Sequence, residues 1–292
     1  MRDIPIEASD GCRSVATLFR DPASADDAPV VVCFAAMGVR ASYYRPFAEA
    51  LCRTGYDVAT VDLRGLGSSS VRAGWQCDFG YREVVELDFP AAIATVRRTL
   101  PDRPIYALGH SLGGQLACLY AAAHPGEVKG IVLVASCSVY YRNWTFPHSG
   151  FVFGFAQSAN LLAKVWGFFP GYLVKFGDRE ARRLVRDWSF QGRTGRYQVD
   201  GSSHDYEALL RGSRHPILAL SFTDDTYCPE AAVAHLLAKM PEAPISHLHL
   251  SPKELGRSSV GHFGWVKRSD GVVPRIGQWL QSEPGHTARA RA

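Results

Sequence analysis

Short unbroken apolar runs alternate along the chain with longer stretches in which apolar residues recur every three or four positions. Val30–Phe34 and the stretches 56–62, 105–108, 131–135 and 216–222 are runs of the first kind, rich in β-branched residues, and 247–250 follows them. Their length and composition predict strands, and a run such as Val30-Val31-Val32-Cys33-Phe34 is the kind buried on both faces. The helical spacing appears in Tyr44, Phe47, Ala48 and Leu51 (stopped at Gly55), then over 84–100, 230–240 and 272–280. At the N-terminus, Ile4 and Ile6 before the turn Ser9-Asp10-Gly11, and Val15, Thr17 and Phe19 after it, predict two paired strands. Strands that alternate with helices predict an α/β fold, with a mostly parallel central sheet and helices on both faces. Its ligand site belongs beyond the carboxyl ends of the strands.

Between 138 and 212 the alternation stops and aromatic residues crowd in. Two helices are predicted there, near 158–166 and 178–188. An insertion of this length at the carboxyl end of a strand sits where a helical lid would cover a site. The chain therefore divides into a core of 1–137 and 213–282, a lid (cap) of 138–212, and a polar, frayed tail over 283–292. Most of the insertion's aromatics form a second small core; Tyr140, Trp144, Phe151, Trp166 and Trp188 are candidates to line an apolar cleft.

The stretch with most chemical content joins a predicted strand to a predicted helix. Ile105 to Leu108 is apolar, Leu116, Ala117, Leu119 and Tyr120 have helical spacing, and Gly109-His110-Ser111-Leu112-Gly113 lies between them. A strand that turns at once into a helix forces its central residue into strained angles. Glycines two before and two after let the two backbones approach. Ser111 then stands at a helix N-terminus, where amide N–H groups favour developing negative charge.

A serine hydroxyl is a weak nucleophile, so it needs a general base, and the base needs a group to fix its tautomer. Asp224-Asp225 follows the strand ending at Phe222. His262 follows the strand containing Leu250, in a loop flanked by Gly261 and Gly264.

Gly109-His110-Ser111-Leu112-Gly113-Gly114, Asp62-Leu63-Arg64-Gly65-Leu66-Gly67-Ser68, Asp225-Thr226-Tyr227-Cys228-Pro229 and Gly261-His262-Phe263-Gly264 together resemble the α/β-hydrolase-fold serine hydrolases, over nearly the whole chain. With Tyr43-Tyr44-Arg45-Pro46-Phe47, the last two resemble a bacterial subgroup of esterase-like hydrolases. The resemblance implies a Ser111, Asp225, His262 triad. The family's acid stands four residues before a proline, which selects Asp225 against Pro229 and leaves Asp224 to brace the loop. It also implies an oxyanion hole from the backbone N–H groups of Leu112 and Met37, although Ala35-Ala36-Met37-Gly38 stands where relatives write His-Gly-x-Gly.

Net charge and cysteines narrow the reading further. A charge of +4 over 292 residues is mild, and only 179–196 is visibly basic, so nucleic acid is not an expected partner. Arg179, Arg182, Arg183, Arg186, Arg193 and Arg196 form either a solvated helix face or a cradle for an anionic group. Seven cysteines with no CxxC spacing read as free thiols in a reducing compartment. No leader-like N-terminus and no run of 18 apolar residues is present, so a soluble cytoplasmic protein without membrane insertion is expected. No metal-ligand spacing occurs (His247 and His249 are two ligands without a third), and no cofactor is implied.

The expected chemistry is cleavage of a carboxylic ester through an acyl-enzyme. A thioesterase or acyltransferase acting on a biosynthetic acyl intermediate, with a carrier protein as partner, is the alternative, and a non-catalytic ligand-binding member of the fold is a further one. Ser111 at the elbow excludes a dehalogenase, which uses a carboxylate there, and nothing in the chain recognises a peptide terminus.

Overall fold

Eight strands make the central sheet of the computed structural model, which describes residues 1–21, 24–25 and 27–283. The tail predicted beyond 283 lies outside the described residues. In chain order the sheet strands are β1 (Arg2–Glu7), β2 (Arg13–Phe19), β3 (Val30–Phe34), β4 (Asp57–Val61), β5 (Ile105–His110), β6 (Ile131–Val134), β9 (Ile217–Phe222) and β10 (Ile245–Leu250). They lie in the order β1-β2-β4-β3-β5-β6-β9-β10. From β4 to β10 every pairing is parallel, while β2 runs antiparallel to both β1 and β4.

The helices are α1 (Arg45–Cys52), α2 (Tyr81–Glu83), α3 (Phe89–Thr99), α4 (Leu112–Ala123), α5 (His148–Trp166), α6 (Arg182–Thr194), α7 (Tyr206–Arg211), α8 (Glu230–Leu237), α9 (Gly264–Lys267) and α10 (Val273–Ser282). Two cores sandwich the sheet. Val30, Val32 and Phe34 of β3 face Ile93 of α3 and Leu116 of α4. The alternate residues, Val31 and Cys33, face Phe47 of α1, Trp265 of α9 and Ile276 of α10. A period-2 strand buried on both sides needs a continuous apolar run, which is why β3 reads as one.

Four local expectations need correction. On β2 the buried residues are Ala16, Leu18 and Phe19, whereas Val15 and Thr17 are half-buried. Pairing with β1 sets this phase: Ala16 lies opposite Ile4, and the Thr17 hydroxyl donates to Asp3 on the outer face at 2.8 Å. The helix predicted over 84–100 is interrupted by a wide turn, Val84–Asp88, between α2 and α3. Pro90 has no N–H to offer the preceding turn, and the ladder widens there.

Within the insertion, α5 starts at His148, ten residues before the predicted 158. The helix predicted from 178 begins at Arg182 instead. Residues Arg179–Ala181 form a strand, β8, antiparallel to β7 (Phe168–Pro170). The insertion is stitched to the segment before α2. Leu184 N–H donates to Phe79 O at 2.9 Å, Arg183 N–H to Asp78 Oδ1 at 3.1 Å, and Tyr81 N–H to Asp187 Oδ2 at 2.9 Å.

Candidate active site

Ser111 caps α4 at the carboxyl end of β5, with φ 53° and ψ −119°. For a side chain with a Cβ these angles are strained by about 1–3 kcal/mol, and only tightly packed surroundings hold them. The surroundings are glycines that leave no room for anything else. A Cβ on Gly109 would stand 2.2 Å from Gly114 Cα, and one on Gly114 2.1 Å from Ser136 Oγ. A Cβ on Gly113 would meet Ala35 O at 2.4 Å and Phe34 O at 2.5 Å, so Gly113 is what lets α4 start against the loop after β3.

That loop, 35–38, turns with a hydrogen bond from Val39 N–H to Ala36 O at 3.1 Å and with Gly38 at φ +69°. Ala36 N–H is occupied by the Tyr44 hydroxyl at 2.9 Å. The N–H groups of Met37 and Leu112 have no protein acceptor among the described residues. Both are open to an added acceptor.

Asp225 and His262 meet directly. His262 Nδ1 lies 2.7 Å from Asp225 Oδ2, with side chains only 6% and 0% exposed. The other oxygen, Oδ1, accepts the N–H groups of Tyr227 (2.9 Å) and Cys228 (3.1 Å). A buried carboxylate is tolerable only with such partners. Because Oδ2 is an acceptor, Nδ1 of His262 carries the proton, and in the neutral ring Nε2 is left bare. Asp224 does different work: its Oδ2 accepts from the Ser259 hydroxyl at 2.9 Å and Val260 N–H at 2.8 Å, which ties the acid loop to the histidine loop. Burial opposes its ionisation, but the Val260 and Gly261 N–H groups and Ser259 together hold its carboxyl below the usual range.

The rings around His262 were not among the candidates read from the sequence. Phe263 and Tyr227 lie 4.8 and 5.4 Å from its centroid, and Phe176 of the insertion lies 6.2 Å from Tyr227. Of the five aromatic candidates, Trp188 packs on Phe176 at 5.4 Å, and Trp144 donates its indole N–H to Thr226 O at 3.2 Å beside the acid loop. The structure does not bring the other three to His262. Tyr140 packs on Tyr141 and His235, while Phe151 (70% exposed) and Trp166 (49%) lie on the outer face of α5. Aromatic content alone does not say which ring faces inward. The signal for Tyr227 and Phe263 was their position next to Asp225 and His262 in the chain.

The basic cluster is largely consumed by internal pairs. Arg183 reaches Glu83 and Asp200 at 3.0 and 3.2 Å, Arg186 reaches Asp200 at 2.9 Å, and Arg182 reaches Asp78 at 3.3 Å. Arg179 stacks on Phe168 with its guanidinium 3.8 Å from the ring centroid. No group of three or more His, Cys, Asp or Glu able to hold a metal occurs among the described residues. His247 and His249 both turn to the Ser221 hydroxyl, at 2.8 and 2.7 Å. No helix among the described residues is long and apolar enough to cross a membrane.

Comparison with known proteins agrees with this architecture. A family model for the alpha/beta hydrolase fold matches residues 28–187. The chain belongs to that family, and it is an α/β-hydrolase enzyme. It is 31% identical over 121 residues to a pimeloyl-[acyl-carrier protein] methyl ester esterase of Chromobacterium violaceum. That match spans 41% of this chain and 42% of the relative, less than half of each. A proline iminopeptidase of Lactobacillus helveticus is 24% identical over 278 residues, covering 86% and 89% of the two chains. Among solved structures, the alpha/beta hydrolase GrgF from a Penicillium species superposes with a TM-score of 0.64 at 16% identity, over 97% of this chain and 98% of that one.

Proposed function

We propose that this hydrolase cleaves a carboxylic ester of a small apolar acyl group through an acyl-enzyme on Ser111. The observation that carries the reading is the buried Asp225–His262 pair at 2.7 Å, whose tautomer leaves Nε2 of His262 as a base, on the same rim of the sheet as a serine held at φ 53°.

In this mechanism His262 Nε2 takes the Ser111 proton as Oγ attacks the ester carbonyl. Asp225 stabilises the imidazolium that forms. The tetrahedral oxyanion is bound by the N–H groups of Met37 and Leu112, each worth about 2.7–4 kcal/mol in the transition state. His262 then gives its proton to the leaving alcohol, and Ser111 is left acylated. Water, deprotonated by His262, attacks the acyl carbonyl, and collapse of the second tetrahedral intermediate releases the acid and restores the serine.

Residues 138–212 serve as the lid in this reading. Phe176 against Tyr227, and Gly177 against Gly38, bring the insertion onto the acid loop and the oxyanion loop (a Cβ on Gly38 would stand 2.3 Å from Gly177 Cα). The rings of Phe176, Tyr227 and Phe263 favour an apolar acyl chain. The relative that acts on a pimeloyl-carrier methyl ester supports an ester substrate, with a carrier-bound acyl group as one source. The paired arginines of 179–186 give no free cradle for the carrier's phosphate.

A fluorophosphonate probe tests the reading. Wild type is expected to be labelled and Ser111→Ala is not. p-Nitrophenyl esters should then turn over faster than matched acyl thioesters, and the reverse preference would make the protein a thioesterase. Folded wild type that resists the probe would overturn the acyl-enzyme.

A further inference from the structure

Tyr43 and Tyr44, conspicuous in the sequence but without a place in the chemistry so far, stand at the start of α1. Both hydroxyls point into the candidate site's framework. The Tyr44 hydroxyl, on a side chain fully shielded from solvent, contacts two groups: it accepts Ala36 N–H at 2.9 Å and lies 2.7 Å from His110 Nδ1. His110 is equally buried, and its Nε2 lies 2.9 Å from the backbone oxygen of His262.

A proton inventory then leaves one arrangement. Ala36 N–H can only donate, so the single Tyr44 proton goes to His110 Nδ1, which must be bare. The carbonyl of His262 can only accept, so His110 carries its proton on Nε2. Burial, and next to it the neighbouring His262, hold the His110 imidazole well below its usual pKa, which keeps it neutral in this tautomer. Burial likewise pushes the Tyr44 phenol up, so its proton stays in place.

We propose that Tyr44 and His110 are positioning residues that lock the oxyanion loop, the nucleophile elbow and the histidine loop into one unit, through the directed chain Ala36 N–H to Tyr44 O–H to His110 Nε2–H to His262 C=O. Each link has a separate consequence. By occupying Ala36 N–H, Tyr44 removes it as a rival oxyanion donor and leaves that of Met37 free. By donating to the bare Nδ1 of His110, it holds the ring so that Nε2–H is aimed at the base loop. His110 then holds His262 by its backbone, independently of the grip of Asp225 on its ring. Tyr43 adds a parallel tie, its hydroxyl donating to Phe263 O at 3.0 Å, so adjacent tyrosines hold two successive carbonyls, one through His110 and one directly. Trp265 packs against the rings of Tyr44 and His110, at 6.1 and 5.3 Å, which limits other rotamers.

Losing only the Tyr44 oxygen should therefore act at a distance. Without that oxygen, His110 Nδ1 is a buried acceptor with no donor and Ala36 N–H a donor with no acceptor. The proton stays on Nε2, where the His262 carbonyl accepts it. The two orphaned groups are relieved by movement of the loop at Ala36 and of the His110 ring, and the histidine loop shifts with that ring.

The test combines 15N-histidine NMR with kinetics on a p-nitrophenyl ester, and rests on the hydrolase reading only for its kinetic arm. In wild type His110 should be neutral at pH 7 and show the Nε2–H tautomer, and in Tyr44→Phe it should keep that tautomer while its bare Nδ1 resonance moves downfield for want of a donor. Tyr44→Phe should lower kcat about 10–100-fold with KM changed less than threefold, the pattern of misplaced catalytic groups rather than lost substrate contacts. His110→Gln, whose amide can both accept from Tyr44 and donate to His262 O, should retain more of kcat than His110→Leu of equal melting temperature. An Nδ1–H tautomer in wild type overturns the proposal, as does full kcat in Tyr44→Phe. If His110→Leu does not fold, Tyr44→Phe still decides. Wild type that never hydrolyses the ester counts against the hydrolase reading, and the NMR arm still tests the chain of hydrogen bonds.

Discussion

Asp225 shows how much one side chain is constrained by the direction of its neighbours' protons. Oδ1 faces two N–H donors, from Tyr227 and Cys228, and Oδ2 faces Nδ1 of His262. In Asp225→Asn the carbonyl oxygen of the amide must stay with the two backbone donors, so its NH2 group is turned to His262. His262 must then accept on Nδ1 and carry its proton on Nε2, where it can no longer take one from Ser111. We expect kcat to fall by about 10³–10⁴-fold with little change in KM or folding, the cost of a wrong tautomer in a triad of this design. Esterase assays with a thermal melt check this, and an Asn variant within tenfold of wild type would remove His262 from the base's role. The strained elbow at Ser111 and the meeting of Asp225 with His262 were legible in the sequence for a physical reason. A strained elbow needs glycines at fixed offsets, and a loop acid and a loop histidine must follow particular strands. The hydrogen-bond partner of His110 was not legible, because Tyr44 lies 66 positions away and no local pattern marks the contact.

At the scale of elements, the sequence is readable where one period decides and fails where a partner decides. β3 announces itself because both faces are buried. The phase of β2 does not, because apolar residues stand on both of its faces, Ala16 and Leu18 on one and Val15 and Phe19 on the other, and pairing with β1 chooses between them. In the insertion, 179–181 is drawn into β8 by β7, a pairing that helical spacing in the chain cannot reveal. Close packing between elements gives a second prediction. An alanine at Gly113 puts a Cβ against Ala35 O and Phe34 O at 2.4 and 2.5 Å, both backbone atoms that cannot swing aside. The start of α4 and the oxyanion loop must separate. We expect Gly113→Ala to cost about 1–3 kcal/mol of stability by overpacking and about 10²-fold in kcat, since a shift near 1 Å misaims the Met37 donor. Gly154→Ala, on the exposed side of α5 with nothing within 4 Å, is the control. It should gain about 0.5–1 kcal/mol from helix propensity and leave kcat alone. Equal effects of the two substitutions would show that the close approach at Gly113 carries no function.

For the whole molecule, the question is how firmly the insertion is held on the core, and two buried carboxyls make the answer depend on pH. Burial pushes Glu180 from its ordinary 4.5 up to about 7, against the opposing hydrogen bond from Asp178 N–H at 2.8 Å. Burial pushes Asp187 from 3.8 to about 7, outweighing the N–H groups of Tyr81 and Asp200 and the charge of Arg183. A carboxyl whose folded pKa lies above its unfolded one stabilises the fold fully below the unfolded value, and that contribution is lost as pH rises through the folded value. Here the loss runs from about pH 4 to just above pH 7. Asp187 accepts the N–H that starts α2, and Glu180 lies under Gly177, whose backbone packs on Gly38 of the oxyanion loop. The weakening therefore falls on the joints between insertion and core. Hydrogen exchange over 168–200, corrected for intrinsic rates, should show greater protection at pH 6 than at pH 8. Glu180→Gln, which is neutral at both pH values and keeps an oxygen for Asp178 N–H, should reduce the difference, while Ser111→Ala should keep it. Protection that is independent of pH in wild type would mean that the charged carboxylates find water or a donor by local opening without loosening the insertion. The attachment would then rest on the apolar contacts of Leu184, Trp188 and Phe176 together with the Leu184 N–H bond to Phe79 and the ion pairs of Arg182 and Arg183.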